Sequence, residues 1–354
     1  MTDREEWLAL TAEEAIEPEL PICDPHHHIW DHPGSRYLLD EFAEDLGGGH
    51  RVDTTVFVEC QQFYRSEGPV ELRPVGETEF VDQIAGPLIT GSGVTQVAAG
   101  IVGFADLTLG PEVQAVLEAH LGASERVRGI RHASAWDASD RVHNAHTNPP
   151  RHLLQSSQFR AGLVCLERQG LSFDAWVFHP QIPELTDLAQ AHAGLTIILN
   201  HMAGPLGIGP YAENRELVFT RWKDHMAGLA NCPNVFIKLG GRCLTMAGFA
   251  WHKRQAPAGS AELATAIGPY YRACIEYFGP ERCMFESNFP VDRASCSYTV
   301  LWNAFKRLSA DYSDSERAAL FHNTASRVYR LGAFTSSPSA QSWTSRTNPS
   351  RNCR

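Results

Sequence analysis

The sequence predicts an α/β fold, a single (β/α)8 barrel, on three observations. Short runs rich in Val, Ile and Phe alternate with longer stretches of helical period, and there are eight such runs. Polar, chemistry-bearing residues gather where the runs end, as barrel architecture demands. No GxGxxG or P-loop follows the first run, which counts against an open doubly wound sheet. The 354 residues would allow two domains at about 150 each, but barrels of this size form one unit.

Taken in order, residues 1–20 read as an acidic lead-in with one short helix docked on the body. The barrel spans 21–332, with strands expected at 21–28, 54–60, 96–103, 127–132, 173–178, 196–201, 234–239 and 282–287. Helices are expected at 112–121, 183–193, 215–230, 262–278 and 313–331. Residues 333–354 are rich in Ser, Thr, Pro, Asn and Gln and read as a disordered tail. Gly47, Gly48 and Gly49 precede a polar stretch and read as a plain loop.

Thirty Lys and Arg against 41 Asp and Glu leave a net charge of -11, which argues against nonspecific binding to nucleic acid or an anionic membrane. A local basic pocket for a small anionic molecule remains compatible. No run reaches the roughly 18 to 20 apolar residues of a membrane span, and the N-terminus lacks a signal-peptide layout. The expected location is the cytoplasm. The nine Cys form no CxxC pair and read as buried free thiols. A homo-oligomer is the default assembly.

The first strand ends in Cys23-Asp24-Pro25-His26-His27-His28. Strand alternation puts Asp24, His26 and His28 on one face and His27 on the other. Two convergent imidazoles can bind a metal, or hold a water and a carbonyl oxygen. The second strand brings Glu59 to its end, either as a functional carboxylate or as the ion-pair partner of an Arg on a neighbouring strand. The loop after it carries Arg65 among aromatic residues and either holds a planar anion or is a plain surface loop. The fourth strand ends in Arg131-His132. Arg131 is either a bidentate clamp on a substrate carboxylate or carbonyl, or a salt-bridge partner of Glu59. His179 and His201 close the fifth and sixth strands. On the eighth, Met284, Glu286 and Asn288 share one face by alternation.

DPHHHIW, VFVEC, GIRH, ILNHMAGP, IKLGG and FESNFPVD, in this order at the strand ends, resemble the amidohydrolase-2 branch of the amidohydrolase superfamily. Within it, the chain is similar to the group of sugar-acid lactonases and 2-pyrone-4,6-dicarboxylate lactonase, over about 21–331. The resemblance implies a distorted TIM barrel. It implies that His26, His28 and His201 are catalytic and the candidate ligands of one divalent ion, zinc first, with metal-free action as the alternative. It also implies an Asp on the last strand as base or ligand, where this chain has Asn288, an amide that takes no proton. Glu286, one layer deeper on the same face, is the expected replacement, with Glu59 or the histidines sharing the task as the alternative. Glu59, Arg65, Arg131, His132 and His179 are the expected substrate-binding residues. The implied reaction is hydrolysis of a carboxylated lactone. The rivals are a metal-dependent decarboxylase of the same superfamily and a ligand-binding barrel that lost its catalytic Asp.

Overall fold

The computed structural model describes residues 3–332, so the expected tail lies outside the described residues. Eight strands follow one another in chain order: β1 Ile22–His27, β2 Val52–Val58, β3 Gly93–Gly103, β4 Val127–Ile130, β5 Ser172–Ala175, β6 Ile197–Leu199, β7 Val235–Leu239 and β8 Cys283–Phe285. Each pairs in parallel with the next. Helices and the barrel interior cover both faces of the sheet, and every residue of β2 is buried, Asp53, Thr54 and Thr55 included.

The ring is closed by residues just past β8. His27 bridges Phe289, the Asn288 N–H donates to the His26 carbonyl at 2.9 Å, and the His28 N–H donates to the Phe289 carbonyl at 2.8 Å. The result is a distorted TIM barrel. Two additions were not expected: a hairpin of Trp30–His32 and Ser35–Tyr37, and a strand Gly86–Thr90 antiparallel to the start of β3.

Helices ring the sheet: α1 Asp3–Ala9, α2 Leu39–Leu46, α3 Val75–Ile84, α4 Val113–Ala123, α5 Ser157–Gln169, α6 Ile182–Ala191, α7 Arg215–Leu229, α8 Ser260–Phe278 and α9 Tyr298–Leu308. The helix expected over 313–331 is broken into α10 Asp314–Ala318, a π turn Ala319–Asn323 and α11 Thr324–Val328. The lead-in packs on the body: Trp7 Nε1 donates to the Arg254 carbonyl at 2.9 Å and the Ile16 N–H to Asn303 Oδ1 at 2.8 Å. No helix among the described residues is long and apolar enough to cross a membrane.

The main core lies between sheet and helices. A smaller one fills the barrel, where Cys23, Val56, Val58, Val102, Ile198 and Met284 meet Tyr329, just past α11.

One expectation for β1 is corrected. Asp24 stands opposite Thr55 and His27 opposite Phe57, three steps of one strand against two of the other. This bulge at Pro25, a residue with no N–H to give the ladder, resets the alternation. Cys23 faces the barrel interior, but Asp24 turns to α9 and accepts from Tyr298 Oη at 3.0 Å and from the Ser287 N–H at 3.0 Å. Asp24 therefore does not share the face of His26 and His28. His27 also points outward, stacked on Phe42 and 2.9 Å from Thr55 Oγ1.

Burial pushes Asp24 up to about 6, so the hydrogen bonds from Tyr298, the Ser287 N–H and, at 3.3 Å, the His26 N–H matter. Tyr298→Phe removes one and is expected to cost about 1–3 kcal/mol. A lower denaturant midpoint at unchanged m-value in equilibrium unfolding checks this.

Candidate active site

The site is built on residues that leave the strand ends rather than on the strands themselves. β6 stops at Leu199, and His201, Met202 and Ala203 follow in left-handed conformation, with φ of 54°, 53° and 60°. That turn aims the His201 ring back across the barrel at Glu286. His201 Nδ1 lies 2.6 Å from Glu286 Oε1, and its own N–H donates to the same oxygen at 3.2 Å. The other oxygen, Oε2, lies 2.6 Å from His26 Nδ1. All three side chains are buried.

Gly240 and Gly241 after β7 make room for this group. A Cβ on Gly240 would stand 2.2 Å from Glu286 Cγ, and one on Gly241 2.5 Å from His201 Cγ. Gly241 also has a φ of 65°, which only glycine adopts without strain.

The three residues can hold a divalent metal, since one donor atom from each lies within 4.8 Å of the others. The contact of Glu286 Oε2 supports this. It is close to His26, yet it lacks the alignment of a hydrogen bond and has no other partner. A buried carboxylate oxygen without a hydrogen bond is costly unless something else takes its lone pair. Two imidazoles and a carboxylate are an ordinary donor set for zinc. Burial, and then Lys238, push His26 well below the usual imidazole range, so it stays a neutral donor.

His28 is not in this group, and Glu286 stands in the place expected for it. Its Nδ1 lies 2.8 Å from the Val58 carbonyl, and its ring sits edge-on to His26 at 4.9 Å. Burial and then Arg131 hold it neutral. Asn288 adopts a φ of 55° and gives its Nδ2–H to Asp292 Oδ1 at 3.0 Å. Burial pushes Asp292 up to about 8, against that hydrogen bond and with the Glu286 charge adding to it.

The Arg131 guanidinium is engaged by Glu59. Its Nε donates to Glu59 Oε1 at 2.6 Å and its Nη2 to the Glu59 carbonyl, while Nη1 faces His26 Nε2 at 3.4 Å. Of the two readings of Glu59, the ion pair is the one observed. Burial alone would raise Glu59, but Arg131 and then His146 outweigh it and hold the carboxyl at about 2. Arg65 is also engaged, by Glu79, and is 38% exposed. His132 Nδ1 accepts from the Leu107 N–H at 3.2 Å, and burial takes it down to about 4. His179 Nδ1 accepts from the Leu206 N–H at 3.4 Å, and burial with Arg242 takes it to about 3.

Several residues at the site had no role in the sequence reading. Lys238 is fully buried, 2.8 Å from Asp174 Oδ2 and 3.5 Å from His26 Nδ1. Asn200 and Tyr329 complete the hydrogen bonds of that same Asp174 oxygen. A Lys and an Asp inside apolar strands were the available signal. Trp176 packs edge-on against His201 at 4.8 Å. His146 lies 3.3 Å from Glu59 Oε2 and had no signal beyond its type. Beside it is a cavity of about 320 Å³ lined by Gln61, Phe104, Asp106, Thr108, His132 and His146 among others.

A metal-capable His/His/Glu cluster at the C-terminal mouth of a closed parallel barrel defines a barrel enzyme of the amidohydrolase type. The amidohydrolase family model matches residues 23–331, and the chain belongs to the amidohydrolase-2 branch of the amidohydrolase superfamily. It is 31% identical over 327 residues to the uncharacterized protein y4mH of Sinorhizobium fredii, covering 88% of this chain and 99% of that one. It is 26% identical over 234 residues to an L-fucono-1,5-lactonase of Burkholderia multivorans, covering 66% of this chain and 72% of that one. The fold is shared with the crystal structure of a Burkholderia multivorans amidohydrolase with bound zinc, at a TM-score of 0.66 and 22% identity, over 88% of this chain and 99% of that one.

The depressed Glu59 carboxyl makes stability depend on pH. A group at about 2 in the folded chain and 4.5 ordinarily adds stability above pH 4.5, which is lost as pH falls toward 2. Glu59→Gln should be less stable at neutral pH and should flatten that acid loss. Thermal melts from pH 7 to 2 measure both.

Proposed function

We propose that the protein is a lactonase, hydrolysing the cyclic ester of a small carboxylated molecule. The observation that carries this is Glu286, a buried carboxylate shared between His26 and His201 on the strand where the family's Asp is replaced by Asn288. Asn288 takes no proton, and its amide is already committed to Asp292. Glu286 is then the carboxylate that can accept the proton of an attacking water.

In this reading the attacking water lies within hydrogen-bond reach of the Glu286 carboxylate. It attacks the lactone carbonyl carbon, its proton passes to Glu286, and the ring C–O bond breaks to leave a hydroxy acid. Arg131, fixed by Glu59, turns Nη1 toward the His26 side, where it can meet a carbonyl or carboxylate oxygen of the substrate. His28 borders the same space with a neutral ring. His26, His201 and Glu286 would hold the divalent ion, zinc by analogy with the Burkholderia multivorans structure, and such an ion polarises the carbonyl and acidifies water. The 26% identity to an L-fucono-1,5-lactonase supports lactone chemistry ahead of decarboxylation.

Glu286→Gln tests the assignment. It keeps the shape but removes the base, and kcat is expected to fall by about 10²–10⁴ across a panel of lactones followed by acid release. Bound zinc, measured on the same preparations, should fall as well. Near-normal turnover in Glu286→Gln would remove this residue from the mechanism.

A further inference from the structure

We propose that Trp176 sets the specificity of this site, and that the lactone it favours carries an alkyl or aryl substituent on the side away from its carboxylate; this rests on the lactonase reading above.

Strand alternation places Trp176. Phe173, Ala175 and Val177 are buried in the main core between sheet and helices, whereas Asp174 turns inward to Lys238. Trp176, two residues past Asp174, falls on that inward side, one layer nearer the mouth. Its contacts agree, since its ring meets that of His201 at 4.8 Å. Four rings therefore cross the mouth in one row: His28 to His26 at 4.9 Å, His26 to His201 at 4.7 Å, and His201 to Trp176. Glu286 touches the middle pair, and Arg131 Nη1 faces His26 at 3.4 Å. The three imidazoles are buried, and Trp176 alone of the four is partly exposed. The indole is thus the accessible end of the row. It is also firmly seated. A Cβ on Gly204 would stand 2.7 Å from Trp176 Cη2, so the ring rests on the turn that carries His201, and the Ser134 N–H donates to the Trp176 carbonyl at 2.8 Å.

The surroundings of this end select for hydrocarbon. Phe178, Leu206, Ile208 and Met246, from the loops after β5, β6 and β7, form one apolar cluster with Trp176. The polar groups beside that cluster are already paired. Tyr211 Oη donates to Asp137 Oδ2 at 2.6 Å, and His179 Nδ1 accepts from the Leu206 N–H at 3.4 Å. Hydroxyls set against such a wall exchange water for little, whereas an apolar group gains by the same move. A rigid aromatic platform is a common way to hold one. The cation of the site lies toward the other end of the row, at Arg131. A substrate with its carboxylate toward Arg131 and its apolar substituent on Trp176 therefore brings the lactone carbonyl between them, at Glu286.

The test varies the substituent while keeping the rest of the substrate. Trp176→Ala is assayed on three carboxylated five-membered lactones: paraconate, γ-phenylparaconate and D-glucaro-1,4-lactone. The first two differ by one phenyl group, and the third carries hydroxyls instead. The expected fall in kcat/KM is about 10–100-fold on γ-phenylparaconate and under about threefold on the other two. The loss should appear in KM with kcat near the wild-type value, as for a contact made equally in the ground and transition states. Trp176→Phe keeps a ring and should recover most of it. Trp176→Leu is assayed beside Trp176→Ala, so that misfolding of one variant does not decide the result. Equal losses on all three lactones in both variants, no loss on γ-phenylparaconate, or the larger loss on D-glucaro-1,4-lactone overturns the inference and leaves the lactonase reading standing. Wild-type protein that opens none of the three overturns both.

Discussion

The arrangement turns on one constraint, a fully buried carboxylate at the mouth of the barrel. Glu286 has 0% exposure, and an isolated charge there would be prohibitive. Its two oxygens are therefore met by two imidazoles, and the backbone on three sides is shaped to allow it. His201 sits in a left-handed turn to reach Oε1. Gly240 and Gly241 clear the volume the carboxylate and the ring need. The bulge at Pro25 brings His26 round to Oε2 while sending Asp24 to the opposite side of its strand.

A second charged layer lies beneath the first. Lys238 and Asp174 are both fully buried and pair with each other, and Asn200 and Tyr329 share the same Asp174 oxygen. The pair is locally neutral, so the burial of one charge is offset by the other. Tyr329, just past α11, thus ties the segment that follows the last helix to the floor of the site. Lys238 stands between this layer and His26, and its charge contributes to holding that imidazole neutral.

The eight strands were legible because each is centred on a short run rich in Val, Ile and Phe, set off from the longer helical stretches. Glu286 was legible because a carboxylate inside such a run has few innocent explanations. Lys238 in Val235–Leu239 and Asp174 in Ser172–Ala175 sent the same signal without a partner to interpret it. Other features had no local signature. α5 went unread because Gly162 is a poor helix former, yet a Cβ there would stand 2.4 Å from the Leu107 carbonyl. α9 is rich in aromatic and β-branched residues that favour strands, and its Ser297 cap was not recognised. The His201 turn cannot be seen from Asn200-His201-Met202-Ala203, since none of these is glycine. His146 lies in a polar connection between β4 and α5, and only folding brings it to Glu59. The lesson for Arg131 is similar. Its charge and position were readable, but whether it faced a substrate or Glu59 depended on geometry.

Closure of the barrel past β8 has a thermodynamic consequence. The seam between β8 and β1 is held by a single bridge and a few backbone hydrogen bonds, whereas its neighbours are ladders. His26 lies on one side of that seam and Glu286 on the other. A ligand gripped by both acts as a rivet across the weakest joint of the ring. Each tenfold excess of such a ligand over its dissociation constant adds about 1.4 kcal/mol to the folded state. Filling the site and fastening the barrel are in that sense the same event.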